Sequence, residues 1–373
     1  MKIAFLTSAH YPDDERIFHH QATALAAKHQ VFIISSKRKK QTHFNNILID
    51  SFDDNGITKR KKINIFFEKL SVHNPERIIC SEPITILAAH RYKKLNPCII
   101  FYDITEWYPS KKNLCLHFIK NIYLVTKLFF FNLYATSFAD KFIFGEYYKS
   151  IPYRIFFPFK KYIYTSYYPD LRFFSSPHTE PITNKLVLSY SGKISVEKGF
   201  TRFVNVVSIL AKKHCELKIE LKIIGWYSDS IDEEKYSLYL STLPKNVNVK
   251  QMPKLSLEEY IKEISDTHVF LDLRSGDIEN QHCLPIKLFY YMASARPVIF
   301  TKLKAIKKAL DISPFGTLVH PDDTQYVADL ISEYITNKEK YISHCLQARA
   351  YAERQYNWDK IKDNFIRFVT TND

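Results

Sequence analysis

Glycine is scarce in this chain, with 7 residues in 373, few for a protein that handles nucleotides. Lys, Ile, Asn, Phe and Tyr are abundant instead, a bias that reads as genome composition. The six cysteines (Cys80, Cys98, Cys115, Cys215, Cys283, Cys345) are scattered and form no CxxC pair. That spacing argues against a disulfide scaffold or a zinc site and favours buried free thiols in a reducing compartment. A long uninterrupted apolar run is also lacking. The best stretch, Leu114 to Ala135, contains His117, Lys120 and Lys127 and makes a poor spanning helix. Met1 leads straight into Lys-Ile-Ala-Phe-Leu-Thr, which reads as a first strand and not as the apolar core of a signal peptide. The expected location is the cytoplasm, with the inner face of the membrane as an open alternative.

Acidic residues are in short supply. There are 39 against 53 Lys and Arg, a net charge of +14, and most of the surplus lies before residue 170. Three readings are open: nucleic acid, an anionic membrane surface, or a plain solvated face. Nucleic-acid binding needs a recognisable module with groove-reaching or base-stacking residues, and none is present. The runs Lys37-Arg38-Lys39-Lys40 and Lys59-Arg60-Lys61-Lys62 are expected near loops. Leu128-Phe129-Phe130-Phe131 and the stretch from Ile151 to Tyr168, where aromatics alternate with Lys and Arg, suit a headgroup layer. Peripheral contact with an anionic membrane and a solvated basic face stand level.

The length suits two α/β domains. Strand-like runs alternate with helical patterns, which predicts parallel sheets with crossover helices. In the first half strands are expected at Ile3–Thr7, Val31–Ser35, Ile47–Asp50, Arg77–Cys80, Cys98–Asp103 and Lys141–Phe144. Helices are expected at Arg16–Lys28, Ile84–Lys94 and Asn113–Ala139. A second series starts at Leu186–Ser191 and continues through Glu220–Gly225, Val247–Gln251, His268–Leu273, Pro297–Thr301 and Thr317–Val319. Its helices fall at Gly199–His214, Leu257–Ser265, Pro285–Ser294, Thr324–Thr336 and Tyr341–Tyr356. The expected division is 1–170, a linker at 171–185, and 186–356, with the final helix in 357–373 returning to the first domain.

Two segments carry chemistry. In Ser189-Tyr190-Ser191-Gly192-Lys193-Ile194-Ser195-Val196-Glu197-Lys198-Gly199-Phe200 a strand ends at Gly192, two lysines occupy the loop, and a helix begins near Gly199. Glycine permits close backbone approach, the helix start offers unpaired N–H groups, and two ammonium groups can neutralise a diphosphate. A turn with solvated lysines is the plainer alternative. In Glu279-Asn280-Gln281-His282-Cys283-Leu284-Pro285-Ile286-Lys287-Leu288-Phe289-Tyr290 a polar loop enters a helix, with Pro285 in its first turn. Lys287 is thereby placed at the carboxyl edge of a sheet, where open α/β folds bind ligands. Leu288, Phe289 and Met292 are read as core.

These residues, together with Ile223-Ile224-Gly225, Pro297-Val298-Ile299, Asp14-Glu15-Arg16 and the run Tyr102-Asp103-Ile104-Thr105-Glu106, resemble glycosyltransferase family 4, and within it the bacterial surface-polysaccharide branch. The resemblance covers nearly the whole chain, with its motifs in order. It implies a GT-B fold, two Rossmann-like doubly wound domains facing across a cleft. It also implies retaining transfer from a nucleotide sugar, UDP- or GDP-linked, to a saccharide or lipid-linked saccharide, with no cofactor and no metal held by an Asp-x-Asp motif. Lys193 and Lys198 match the pair that holds the donor diphosphate, and Gly192, Gly225, Leu284 and Lys287 fall in the donor-binding segments. Where the family has two acidic residues, this chain has His282 and Tyr290; Glu279 is the carboxylate that could substitute. Where the family has a histidine, it has Thr105 beside Glu106. Phenol and hydroxyl groups cannot replace a carboxylate as a bidentate acceptor. The departures therefore favour a second reading, a catalytically weak partner of a polysaccharide-assembly complex. In the first domain His10, Thr105 and Glu106 are the catalytic candidates and Asp14 and Arg16 the acceptor-binding ones. Asp14 could equally cap a helix, and Trp107 and Tyr108 are read as packing. A nucleotide-sugar epimerase would want more carboxylates around the cleft.

Overall fold

The computed structural model describes residues 1–106, 108, 118–175 and 179–372. Trp107, Cys115, the start of the helix expected from Asn113, and Ser176-Pro177-His178 lie outside the described residues. The chain divides into two compact units, 1–167 with 358–373, and 168–357.

The first unit holds an eight-stranded sheet in the order β3-β4-β2-β1-β5-β6-β7-β8. Its strands are β1 (Lys2–Thr7), β2 (Gln30–Ser35), β3 (Lys37–Phe44), β4 (Ile47–Asp53), β5 (Arg77–Cys80), β6 (Ile99–Ile104), β7 (Lys141–Phe144) and β8 (Tyr162–Tyr164). The run Val-Phe-Ile-Ile in β2 is buried on both faces, as a central parallel strand requires. β3 alone is antiparallel, paired with β4. The Lys37–Lys40 run, expected near loops, stands on this edge strand. No apolar alternation announces this strand because nearly all its side chains face water. The visible signal was the Asn45-Asn46 turn, with Asn45 at φ 52°. The second basic run likewise opens a helix, α2 (Lys59–His73), capped by Thr58. Asp14 caps a π-helical turn, Glu15–Ala22, by accepting from the Arg16 and Ile17 N–H groups; this runs on into α1 (Thr23–Ala26). The other helices are α3 (Pro83–Lys93), α4 (Phe118–Ser137) and α5 (Tyr147–Phe156), the last absent from the sequence reading.

The second unit has a six-stranded parallel sheet in the order β11-β10-β9-β12-β13-β14. Its strands are β9 (Lys185–Lys193), β10 (Lys218–Trp226), β11 (Val247–Met252), β12 (Val269–Asp272), β13 (Val298–Thr301) and β14 (Gly316–Val319). This is the doubly wound order, which reverses between β9 and β12. Helices α6 (Phe200–Lys213), α7 (Ser230–Ser241), α8 (Leu257–Ile264), α9 (Ile278–Gln281), α10 (Ile286–Ala293), α11 (Lys304–Ala309), α12 (Thr324–Thr336) and α13 (Lys338–Arg354) cover it. Phe203, Val204, Val207 and Leu210 of α6 recur at helical spacing and are buried against Leu188, Leu221 and Ile331; each such side chain stabilises by about 1.5–3 kcal/mol. Ile182 joins the same core.

The last helix, α14 (Asp359–Thr370), belongs to the first unit, where Trp358, Phe365 and Val369 pack with Ile3, Phe5 and Ile33. Arg77 fastens its end by donating to the Val369 carbonyl at 3.2 Å. Among the described residues no helix is long and apolar enough to cross a membrane.

Candidate functional site

In each unit the candidate residues gather where the strand order reverses, at the carboxyl ends of the central strands. In the second unit Gly192, with φ +108°, is the next-to-last residue of β9. Gly225, its neighbour on β10, lies so close that a Cβ there would stand 2.0 Å from the Gly192 carbonyl oxygen. The loop that follows is held at both ends. Tyr190, its ring packed on Phe200 and Phe203, donates its hydroxyl to the Lys193 carbonyl at 2.8 Å. Gly199, at φ +81°, passes beneath Leu273 with no room for a Cβ, which would be 2.3 Å from the Leu273 oxygen. α6 therefore starts with its N-terminal turn at the strand edge, where free N–H groups and the helix dipole favour an anion.

Lys287 reaches this point from α10. Its ammonium donates to the Ser191 carbonyl, and a Cβ added to Gly192 would meet it at 3.3 Å. Burial pushes the Lys287 amine down to about 8; Asp272 draws it the other way, and Arg274 and Lys198 add repulsion. Asp272, at the end of β12, is buried but forms a bidentate pair with Arg274, Nε to Oδ1 at 2.8 Å. Burial opposes its charge, yet Arg274 keeps the carboxyl below the usual range. Ser191 Oγ lies 3.0 Å from the hydroxyls of both Tyr260 and Tyr291, and Tyr291 is stacked on Phe270 with 3.8 Å between centroids.

The structure thus brings Gly192, Gly225, Lys198 and Lys287 into one neighbourhood. The Lys198 ammonium lies 3.4 Å from the Asn280 side-chain oxygen, and Lys193 is exposed on the loop. Glu279 sits half-buried on the short α9. His282 closes that helix, its Nδ1 2.9 Å from the Ile278 oxygen. Leu284 is buried. Tyr290 is 3% exposed, its ring against Phe174 and Tyr260. The sequence reading missed Asp272, Arg274, Tyr190 and Tyr291. For the first two a signal existed, a carboxylate directly after the β12 run; tyrosines inside apolar patterns give none.

In the first unit β1 and β5 flank the reversal. Glu82, just past β5, accepts from the Ser8 N–H at 2.6 Å, the Ala9 N–H at 3.1 Å and the Thr7 hydroxyl at 2.9 Å. His10 lies 3.3 Å from Asp14 and 4.0 Å from Glu82. Burial opposes its charged form, but the Asp14 hydrogen bond and the charges of Asp14, Glu82 and Glu106 raise it to about 9. Glu82 was not singled out from sequence, although Ser81-Glu82 directly after a strand was a usable signal. Arg16 is 7% exposed. It grips Asp103 at 2.8 and 2.7 Å, donates to the Thr165 carbonyl at 2.7 Å, and is covered by the Tyr167 ring. Thr105 is buried, its carbonyl accepting from Lys149 at 2.6 Å, while Glu106 is exposed.

Two doubly wound sheets, parallel apart from the edge strand β3, define the GT-B class of fold. Residues 185–337 match the family model described as glycosyl transferases group 1. The chain is similar to solved structures over nearly its whole length. Sucrose-phosphate synthase from Thermosynechococcus elongatus has a TM-score of 0.74 at 13% identity, covering 98% of each chain. Anabaena Alr3699/HepE in complex with UDP-glucose gives 0.71 at 13%, covering 99% of each. The E. coli trehalose-6-phosphate structure bound with UDP-2-fluoro glucose gives 0.69 at 10%, covering 99% of each. No curated protein sequence matches.

Proposed function

We propose that this protein is a retaining glycosyltransferase. It moves a sugar from a UDP- or GDP-sugar to a saccharide or lipid-linked saccharide during surface polysaccharide synthesis, as in glycosyltransferase family 4. The observation that carries the reading is the Gly192–Lys287 corner at the strand reversal of the second unit. The match of residues 185–337 and the UDP-sugars named for the similar structures support it.

The chemistry asks for little beyond electrostatics at the donor. As the bond from the anomeric carbon to the diphosphate breaks, charge builds on the leaving oxygens, and fixed cations stabilise that charge. Lys193, Lys198 and Lys287 supply them. Gly192 and Gly225 let the diphosphate lie against the backbone. A new bond to the acceptor oxygen forms with the same anomeric configuration, and the acceptor's proton leaves with the diphosphate or to solvent. His10, with a pKa of about 9, is cationic at neutral pH; in the first unit it would hold an anionic or polar acceptor group, with Glu106 and Glu82 as hydrogen-bond acceptors.

Calorimetric titration with a panel of UDP-, GDP- and ADP-sugars, beside a Lys193→Ala/Lys198→Ala variant, tests this. Binding of one donor, lost in the variant, is the expected result. Folded protein that binds none of them overturns it. The second reading, a non-catalytic partner of an assembly complex, is favoured by the burial of Tyr290 among aromatic rings. It predicts folded protein that binds none of the donors in the panel.

A further inference from the structure

Two parts of the first unit carry the basic charge, and they stand at opposite edges of its sheet. Lys37–Lys40 lie on β3 at one edge, while α4, α5 and β8 belong to the other. Seven inter-strand steps separate the edges, roughly 30 Å. At the β3 edge acids answer the lysines: Lys37 and Lys62 pair with Asp54, and Lys40 lies 3.8 Å from Asp13.

The β8 edge is different. α4 turns an aromatic stripe outward, Tyr123, Lys127, Phe130 and Tyr134, at spacings of four, three and four residues. Tyr123, Phe130 and Tyr134 are 68%, 62% and 61% exposed. A helix of a folded domain ordinarily hides such a stripe. Phe129 joins this helix to the end of α5 through the Phe156 ring, 5.6 Å away. From there the surface continues over Ile155 and the turn to β8, where Phe159 is 97% exposed. Basic residues are interleaved with the rings: Lys120, Lys127, Arg154 and Lys161 are exposed. Residues 118–164 hold seven Lys and Arg against two acids, Asp140 and Glu146. Both acids are already engaged, by Lys93 and Lys149.

We propose that the outer face of α4, with the α5–β8 turn, is the docking surface of this protein on an anionic lipid bilayer. The inference deepens the proposed function and rests on it only for the lipid-linked acceptor. Aromatic side chains enter the headgroup layer, where an apolar ring and a polar rim are both satisfied, and the lysines and arginines meet the lipid phosphates. The uncompensated positive charge selects a bilayer over an apolar protein partner. The β3 edge, although richer in consecutive lysines, has no exposed aromatic stripe and is partly neutralised.

Vesicle flotation of the whole protein tests this, using phosphatidylcholine alone and an equimolar mixture with phosphatidylglycerol. Wild type is expected on the anionic vesicles only, with binding weakened by high salt. Phe130→Ser/Phe159→Ser is expected to lose roughly tenfold or more of that partitioning, while Lys39→Glu/Arg60→Glu at the opposite edge keeps most of it. UDP titration without vesicles checks that each variant is folded and tests the donor site separately. Wild type that ignores anionic vesicles overturns the proposal. So does undiminished binding by Phe130→Ser/Phe159→Ser, or a greater loss in the β3-edge variant. If wild type ignores vesicles and the aromatic variant instead changes the oligomeric mass, the face belongs to a protein contact.

Discussion

Lys287 allows a quantitative test of the donor site, because its amine sits at about 8 before any ligand arrives. At pH 8 about half the molecules carry it neutral. A diphosphate lying against Gly192 brings negative charge to the ammonium and favours the charged form, so binding must take up a proton. The uptake should be about 0.5 proton at pH 8, about 0.9 at pH 9 and about 0.1 at pH 7. Affinity for UDP should therefore fall as pH rises above 8, approaching tenfold per unit. Calorimetry in buffers of different ionisation enthalpy measures the uptake directly, and UDP is fully ionised at pH 8, so its own phosphates do not contribute. Lys287→Met should abolish the uptake and weaken binding by about 1.5–3 kcal/mol, the worth of one charged hydrogen bond. Heats independent of buffer at pH 8, or the same uptake in the methionine variant, would refute the assignment of Lys287 to the diphosphate.

Three further outcomes follow from the same geometry. Gly225→Ala drives a methyl group into the Gly192 carbonyl and should cost about 1–3 kcal/mol in urea unfolding, with loss of UDP binding; wild-type binding would remove the close approach from the site. His10 gains its proton more readily folded than unfolded, 9 against 6.5, so its contribution is present below pH 6.5 and is lost as pH rises through 9. About 3 kcal/mol of stability should disappear across that window, and His10→Ala should flatten the slope. Arg16→Lys breaks the two-pronged grip on buried Asp103. It should lower stability by about 3 kcal/mol and leave UDP affinity intact; a selective loss of acceptor use at normal stability would show that Arg16 touches substrate.

Much of the architecture is legible because buried parallel strands read as short apolar runs. Arg77–Cys80 and Lys141–Phe144 are found with their observed ends, and α12 as well. β3 escaped because an exposed edge strand buries nothing and leaves no pattern. The corner of Gly192, Gly225 and Lys287 was legible to the extent that glycine and lysine near a strand-to-helix loop are unusual enough to notice. Arg16 shows the reverse: a charged residue near a motif reads as a ligand group until its partner, 87 positions away, is seen.

The sequence by itself determined the two-unit α/β plan, the loop from Gly192 to Gly199 and the segment that carries Lys287, since all depend on local periodicity and residue type. Tertiary structure alone decided which charges are paired and buried. Asp272 and Arg274 cancel each other, Asp103 absorbs Arg16, Asp54 neutralises two lysines of the basic runs, and Tyr290 is enclosed by rings. Charge and burial are properties of neighbours in space, and the strand order that sets those neighbours joins positions tens of residues apart.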